Sequence, residues 1–319
     1  MERIIFTGEK PIKEIFEVFS ETMEELFQED SSVIYIDADL MSSMRTKELW
    51  RKYPENVFNT GIQEANMVGV AGGMYLTGMK PYIHSFAPFA TRRCFDQIYL
   101  TVGYAHKSVR IIGSEPGICA TDNGGTHMTF EDMALMRSIP EACVIDISDA
   151  GMFRQLLKKT KDRGGVTYFR TPRRGLPDIY GSGTDFEIGK GKVLREGTDV
   201  MLVASGIMVS TALSAADVLA GMGIEVCIID PVTIKPIDEE LLERYSRMVK
   251  AVVTIENHNI IGGLGSAVAE TLSKRYPIYI ECIGIQDKFG QVGSEDYLRE
   301  QYSLTEEAVV RKVREILSK

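Results

Sequence analysis

No stretch of this 319-residue sequence approaches the ~18 consecutive apolar residues that a membrane-spanning helix needs, and MERIIFTGEKPIKEIFEVF at the start lacks a continuous apolar core of signal-peptide length. Together these absences predict a cytoplasmic protein with no membrane partner. Positive charge is not in excess: 36 Lys and Arg stand against 45 Asp and Glu, a formal net charge of -9. The basic residues are scattered, which argues against a nucleic-acid partner. Cysteine is sparse, odd in number and unpaired in spacing. Cys94, Cys119, Cys143, Cys227 and Cys282 form no CxxC, so neither a disulfide framework nor a zinc site is indicated. They read as packed thiols, with a case for reactivity only at Cys119, which lies in a Gly-rich stretch. His84, His106, His127 and His258 show no metal-ligand spacing, so no metal site is expected in the chain.

What is present is an alternation of short β-branched runs with longer amphipathic ones, the pattern of parallel sheets covered by helices. Strands are predicted at SVIYID, PYIHSF, VRIIGS, CVIDIS and VTYFR, with helices over Pro11–Gln28, Gln63–Leu76, Pro88–Ala105, Phe130–Arg137 and Ala150–Asp162. The Gly- and Pro-rich RRGLPDIYGSGTDFEIGKG then marks a linker over Arg174–Gly191. Beyond it, DVMLVAS, EVCIIDP, AVVTIEN and IYIECIG predict four strands, separated by helices over Val209–Gly221, Asp238–Ser246 and Leu264–Arg275. Thr305–Leu317 closes the chain, with SLTEE supplying a Ser or Thr cap and acidic residues for the helix's positive end. The expected fold class is α/β, with two parallel-sheet domains over residues 1–183 and 191–319.

One helix start stands out. In NTGIQEANMVGVAGGM, Glu64 falls in a first turn followed by Ala65, Gly69, Ala71, Gly72 and Gly73, which would let a flat ligand or another backbone come close. An acid there has an ordinary reading as a favourable helix-dipole contact of ~0.3–1 kcal/mol. The functional reading gains from HSFAPF, which offers Phe86 and Phe89 after a strand, and from TDNGGTHMTFED, which offers His127 after a glycine turn. His127 also has a bland reading, as a side chain that only holds its loop.

DADL (37–40), FNTGIQEANM (58–67), SFAPFAT (85–91), GGTH (124–127) and EDMALMRSIP (131–140) occur in an order and spacing that resemble the pyrimidine-binding domain of transketolase, and IENHNIIGGLGSAVAE (255–270) resembles that family's C-terminal domain. The likeness covers nearly the whole chain and is to the C-terminal subunit of short, split transketolases. It implies a thiamine diphosphate enzyme that moves a two-carbon ketol unit from a ketose to an aldose. It makes Glu64 the carboxylate that hydrogen-bonds the cofactor's pyrimidine N1′, Phe86 and Phe89 the aromatic wall, and His127 a sugar contact that helps move protons. Asp39 falls in the ADL motif near the cofactor, with a turn-capping alternative. Ser43 and Arg173 fall where transketolases contact the sugar's distal phosphate.

The likeness also has gaps. No GDG occurs in the chain, and the family binds diphosphate and its divalent metal, Mg2+ or Ca2+, at that motif. A partner N-terminal subunit carrying GDG, in an α2β2 assembly, is therefore expected. Transketolases commonly read TH before the glycine turn and DG inside it; here Glu115 and Asn123 occupy those places, and KEIFEVFSET (13–22) lacks the usual arginine. A carboxylate beside a phosphate dianion is repulsive. The expected substrate is thus a changed sugar: branched, unphosphorylated or sulfonated. Arg92, Arg93 and Arg174 are candidate replacement contacts. The alternatives are a 2-oxo acid dehydrogenase E1 β-subunit, a deoxyxylulose phosphate synthase-like fragment and a non-catalytic subunit.

Overall fold

The computed structural model describes residues 4–9, 11 and 13–318. Among the described residues, twelve strands follow one another: β1 Val33–Asp37, β2 Val57–Asn59, β3 Lys80–Phe86, β4 Val109–Ser114, β5 Cys143–Asp146, β6 Val166–Thr171, β7 Lys192–Arg195, β8 Val200–Ala204, β9 Val226–Asp230, β10 Thr233–Lys235, β11 Ala251–Asn259 and β12 Ile280–Ile285. They form two sheets, ordered β10-β5-β6-β4-β3-β1-β2 and β12-β11-β8-β9-β7. All pairings are parallel except those of the edge strands β10 and β7. The central strands are buried on both faces, which explains their unbroken apolar runs.

The halves are less separate than the linker suggests. After β9 the chain returns to the first sheet, where Thr233 pairs with Ile145 and Lys235 with Val144. The Gly- and Pro-rich segment is packed, not a free hinge. The Asp149 carboxylate accepts from the backbone of Ile179 and Tyr180 at 2.7 and 3.3 Å, while Phe186 and Ile179 are each 1% exposed. Between the halves lies a buried ionic network. The Arg170 guanidinium donates to Asp132 at 2.8 Å, Asp146 at 3.4 Å and the Asn257 carbonyl at 2.5 Å.

Several expected boundaries need correction. The first helix is Ile15–Glu29, starting after Pro11, and Ile12 lies outside the described residues. Asp132–Ser138 and Ala150–Lys159 are shorter than expected, the latter capped by Asp149 through the Gly151 and Met152 amides. Pro88–Ala105 is not one helix. It breaks into Ala87–Ala90, a tight turn at Arg92–Cys94, Phe95–Gln97 and a wide turn at Ile98–Tyr104, because Thr91 leaves helical geometry (φ -126°, ψ -85°). The Thr305 cap is present, accepting from the Ala308 amide at 3.3 Å.

Candidate active site

The carboxyl ends of β1, β3 and β4 lie side by side, with Asp37 opposite His84 and Phe86 opposite Ser114. Ligands in open parallel sheets commonly bind at such an edge. Beneath it a buried polar row ties the strands together. His84 Nδ1 is 2.8 Å from Asp37, its Nε2 is 2.9 Å from the Ser114 hydroxyl, and the Tyr35 hydroxyl donates to Asp37 at 2.6 Å. His84 therefore has a structural place.

After β2, Gly61 takes a left-handed φ of 74° and turns the chain into the Glu64–Leu76 helix. Glu64 does not cap that helix. Its carboxylate, 2% exposed, accepts from the Ser85 hydroxyl at 2.9 Å and from Arg93 Nη1 at 2.9 Å to each oxygen. Phe86 and Phe89 lie beside it with ring centres 6.3 Å apart, and the half-buried His127 meets them edge-on at 6.0 and 5.0 Å. The Thr126 hydroxyl lies 2.9 Å from His127 Nδ1. One buried carboxylate, two aromatic rings and an imidazole thus converge from three stretches of the chain. A flat heteroaromatic ring carrying an N–H suits such a cleft, because the rings supply stacking faces and the carboxylate accepts the proton donor.

A second cleft of about 490 Å³ lies between the halves, lined in part by Glu115, Asn123, Arg173, Arg174 and Arg299. Glu115 does not project alone toward a ligand, as its position in the sequence suggested. Its carboxylate pairs with Arg173 Nε at 3.0 Å and accepts the Arg173 amide at 2.9 Å, from a backbone held at φ 56°. The Arg173 guanidinium spans from this pair to within 5.7 Å of the Phe86 ring centre and reaches Ser43 only at its carbonyl, 3.5 Å away. Asn123 is exposed on the rim. Asp39, outside this lining, is also exposed, and its carboxylate accepts from the Asn59 side chain at 3.3 Å.

Arg92 and Arg93 do not serve this second cleft. Arg92 pairs with Glu131 at 2.6 Å and Arg93 with Glu64. Burial pushes the thiols up, Cys94 to about 12 and Cys119 well above its ordinary value. Neither is poised as a nucleophile. Among the described residues, no group of three His, Cys, Asp or Glu side chains could hold a metal ion, and no helix is long and apolar enough to cross a membrane.

Two family models match, "Transketolase, pyrimidine binding domain" over residues 13–178 and "Transketolase, C-terminal domain" over 189–309. The chain belongs to the transketolase family. It is 41% identical over 300 residues to the 6-deoxy-6-sulfo-D-fructose transketolase subunit SqwH of Clostridium sp. (strain MSTE9), covering 94% of this chain and 93% of that one. It is 37% identical over 304 residues to a putative transketolase C-terminal section of Methanocaldococcus jannaschii, covering 94% and 95%. A solved split-gene transketolase, described as an inactive β4 tetramer, superposes with a TM-score of 0.89 at 40% identity, covering 96% of this chain and 98% of that one. Sequence reasoning named Arg93 only as a replacement contact for the sugar and missed its pairing with Glu64. The only signal of that pairing was the place of Arg93 four residues beyond Phe89.

Proposed function

We propose that this chain is the pyrimidine-side subunit of a two-chain, thiamine diphosphate-dependent transketolase whose donor ketose is not xylulose 5-phosphate. The observation that carries the reading is the Glu64 carboxylate, buried beside Phe86, Phe89 and His127 with only side-chain partners. When bound, the cofactor supplies a carbon nucleophile for ketose cleavage and ketol transfer. Glu64 holds a proton at the pyrimidine N1′ and so favours the tautomer that acts as base. Phe86 and Phe89 pack against the ring and keep water from it. His127, oriented by Thr126, contacts the sugar's hydroxyls and can take or return a proton.

The partner is a chain that binds the diphosphate through a GDG motif and a divalent metal, in an α2β2 assembly. An apolar stripe supports such a contact. Leu76 is 71% exposed, Gly69 and Gly73 share its helix face with nothing within 4 Å of a built Cβ, and Ile62, also 71% exposed, lies just before the helix. The description of the related β4 tetramer as inactive fits a subunit that needs a different partner.

For the donor, the pairing of Glu115 with Arg173 weakens the positive field that a phosphate dianion would need. A sulfonate carries one charge less, and the relative at 41% identity is named for a 6-deoxy-6-sulfo-D-fructose donor. The test is a donor panel assayed with the reconstituted two-chain protein: 6-deoxy-6-sulfofructose, fructose 6-phosphate, xylulose 5-phosphate and unphosphorylated ketoses. The expected result is a higher kcat/KM for a sulfonated or otherwise altered ketose. Highest kcat/KM for xylulose 5-phosphate would overturn the substrate assignment, and failure of every ketose would overturn the activity.

A further inference from the structure

Arg93 fills the space between the Phe89 ring and the Glu64 carboxylate. Its guanidinium carbon lies 3.6 Å from the centre of the Phe89 ring, a stacking distance for a flat group. The same guanidinium reaches both oxygens of Glu64 at 2.9 Å. The face of Phe89 and the open side of this carboxylate are the surfaces that the reading above gives to the pyrimidine. Two planar groups cannot share one slot.

The anchoring is unequal. The Glu64 side chain is 2% exposed and fixed by the Ser85 hydroxyl on β3, while Arg93 is 42% exposed and rooted in the short turn at Arg92–Cys94. The arginine can therefore swing its charge into water on its long stem, and the glutamate cannot follow. Left without a partner, a carboxylate this deeply buried is costly, which explains why a cation fills the slot when no ring does.

We propose that Arg93 is a displaceable placeholder, filling the ring slot and pairing with Glu64 in the free chain and withdrawing when the cofactor's aminopyrimidine takes its place. Cofactor affinity is then the difference between two partners of one carboxylate, and Arg93 tunes it as a positioning residue. The proposal rests on the thiamine diphosphate reading.

Arg93→Ala and Arg93→Lys test it by two readouts that need no turnover. In the free chain, Arg93→Ala should lower Tm by about 2–4 °C, and adding Glu64→Gln should recover most of that loss. In the assembled two-chain protein, calorimetric titration with thiamine diphosphate and magnesium should show Arg93→Ala binding about 10-fold more tightly than wild type. Arg93→Lys, which keeps the charge and loses the stacking plane, should fall between. Weaker cofactor binding by Arg93→Ala would make Arg93 a cofactor ligand and overturn the placeholder role, as would an unchanged Kd. If the wild-type assembly binds no thiamine diphosphate, the functional reading itself fails and this proposal with it. A wild-type assembly that binds, with the variants failing to tighten, removes the placeholder alone.

Discussion

Two buried glutamates sit at helix N-termini in this molecule and are used in opposite ways. Glu256, on β11, turns both carboxylate oxygens to the helix that follows, accepting the Leu264 amide at 2.6 Å and the Gly265 amide at 2.8 Å. The fit leaves no slack, since a Cβ at Gly263 would come within 2.0 Å of its Oε2. Glu64 is the first residue of its own helix, yet it gives that helix no side-chain cap and faces Ser85 and the half-exposed Arg93. A carboxylate held by backbone amides is committed to the fold. One held by side chains, one of them exposed at its tip, keeps an acceptor that a ligand can reach. Both glutamates are buried and both are near a positive helix end, so partner type, and not burial, separates the site from the scaffold.

The largest effect should come from Glu64→Gln. In the reconstituted two-chain protein we expect kcat to fall by at least ~100-fold, the range for losing a positioned acid or base, with Tm of the free chain changed by no more than about 2 °C. Activity within threefold of wild type would remove Glu64 from the chemistry and make the two glutamates alike.

Glu256→Gln should behave in the reverse sense, lowering stability while sparing the reaction at temperatures where the chain stays folded. One backbone amide loses its oxygen acceptor, since the glutamine NH2 donates where a carboxyl oxygen accepted, at a cost of about 1–3 kcal/mol. The pH dependence sharpens the contrast. Burial pushes the Glu256 carboxyl up to about 8, from 4.5. The folded chain thus holds this proton where the unfolded chain has released it. The stability it contributes is complete below about pH 4.5 and is lost as pH rises through about 8, with a slope of up to ~1.4 kcal/mol per pH unit. Its neighbour His258 sets the acid side: burial lowers it to about 4 from 6.5, so its contribution is present above pH 6.5 and is lost as pH falls through about 4. Chemical denaturation across pH 5–9 should show Glu256→Gln removing the decline between about pH 5 and 8, most plainly on the alkaline limb above about pH 6.5, where His258 no longer opposes it. An unchanged alkaline limb would mean that the charged carboxylate is already fully compensated by its two amides.

What could be read from the sequence divides along the same line of local against distant partners. The central strands were legible because burial on both faces leaves unbroken apolar runs such as Val33–Asp37. Strands β2, β7 and β10 have three or four residues, too few for a period, and β10 exists only through its pairing with β5 from the other half. The positions of Glu64, Phe86, Phe89 and His127 could be marked from motif spacing, and the fold brings them together. Their roles in catalysis stay with the proposal above. The pairing of Arg93 with Glu64 escaped because the apolar spacing of residues 88–105 suggests one helix. The break at Thr91, whose hydroxyl donates to the Ala87 carbonyl at 2.6 Å, sends Arg92 toward Glu131 and its neighbour toward Glu64. Glu115 was misjudged for a related reason: nothing local reveals that Arg173, 58 residues later, pairs with it.

A further small effect concerns the glycines of these two helices. The Gly263–Gly265 turn is closed around Glu256, whereas Gly73 lies on the open face of the Glu64–Leu76 helix with nothing within 4 Å of a built Cβ. Alanine in a helix interior is favoured over glycine by about 0.5–1 kcal/mol, so Gly73→Ala should raise the Tm of the free chain by roughly 1–3 °C. If that face receives the partner subunit, the added methyl group takes space that close backbone approach requires, and the same substitution should weaken two-chain assembly by about 10-fold in analytical ultracentrifugation. A stabilised chain that assembles as well as wild type would free this helix face from the interface. The two glycine sites would then differ only in packing, and the partner contact would have to be sought around Tyr99, Leu100 and Tyr104, which are also exposed.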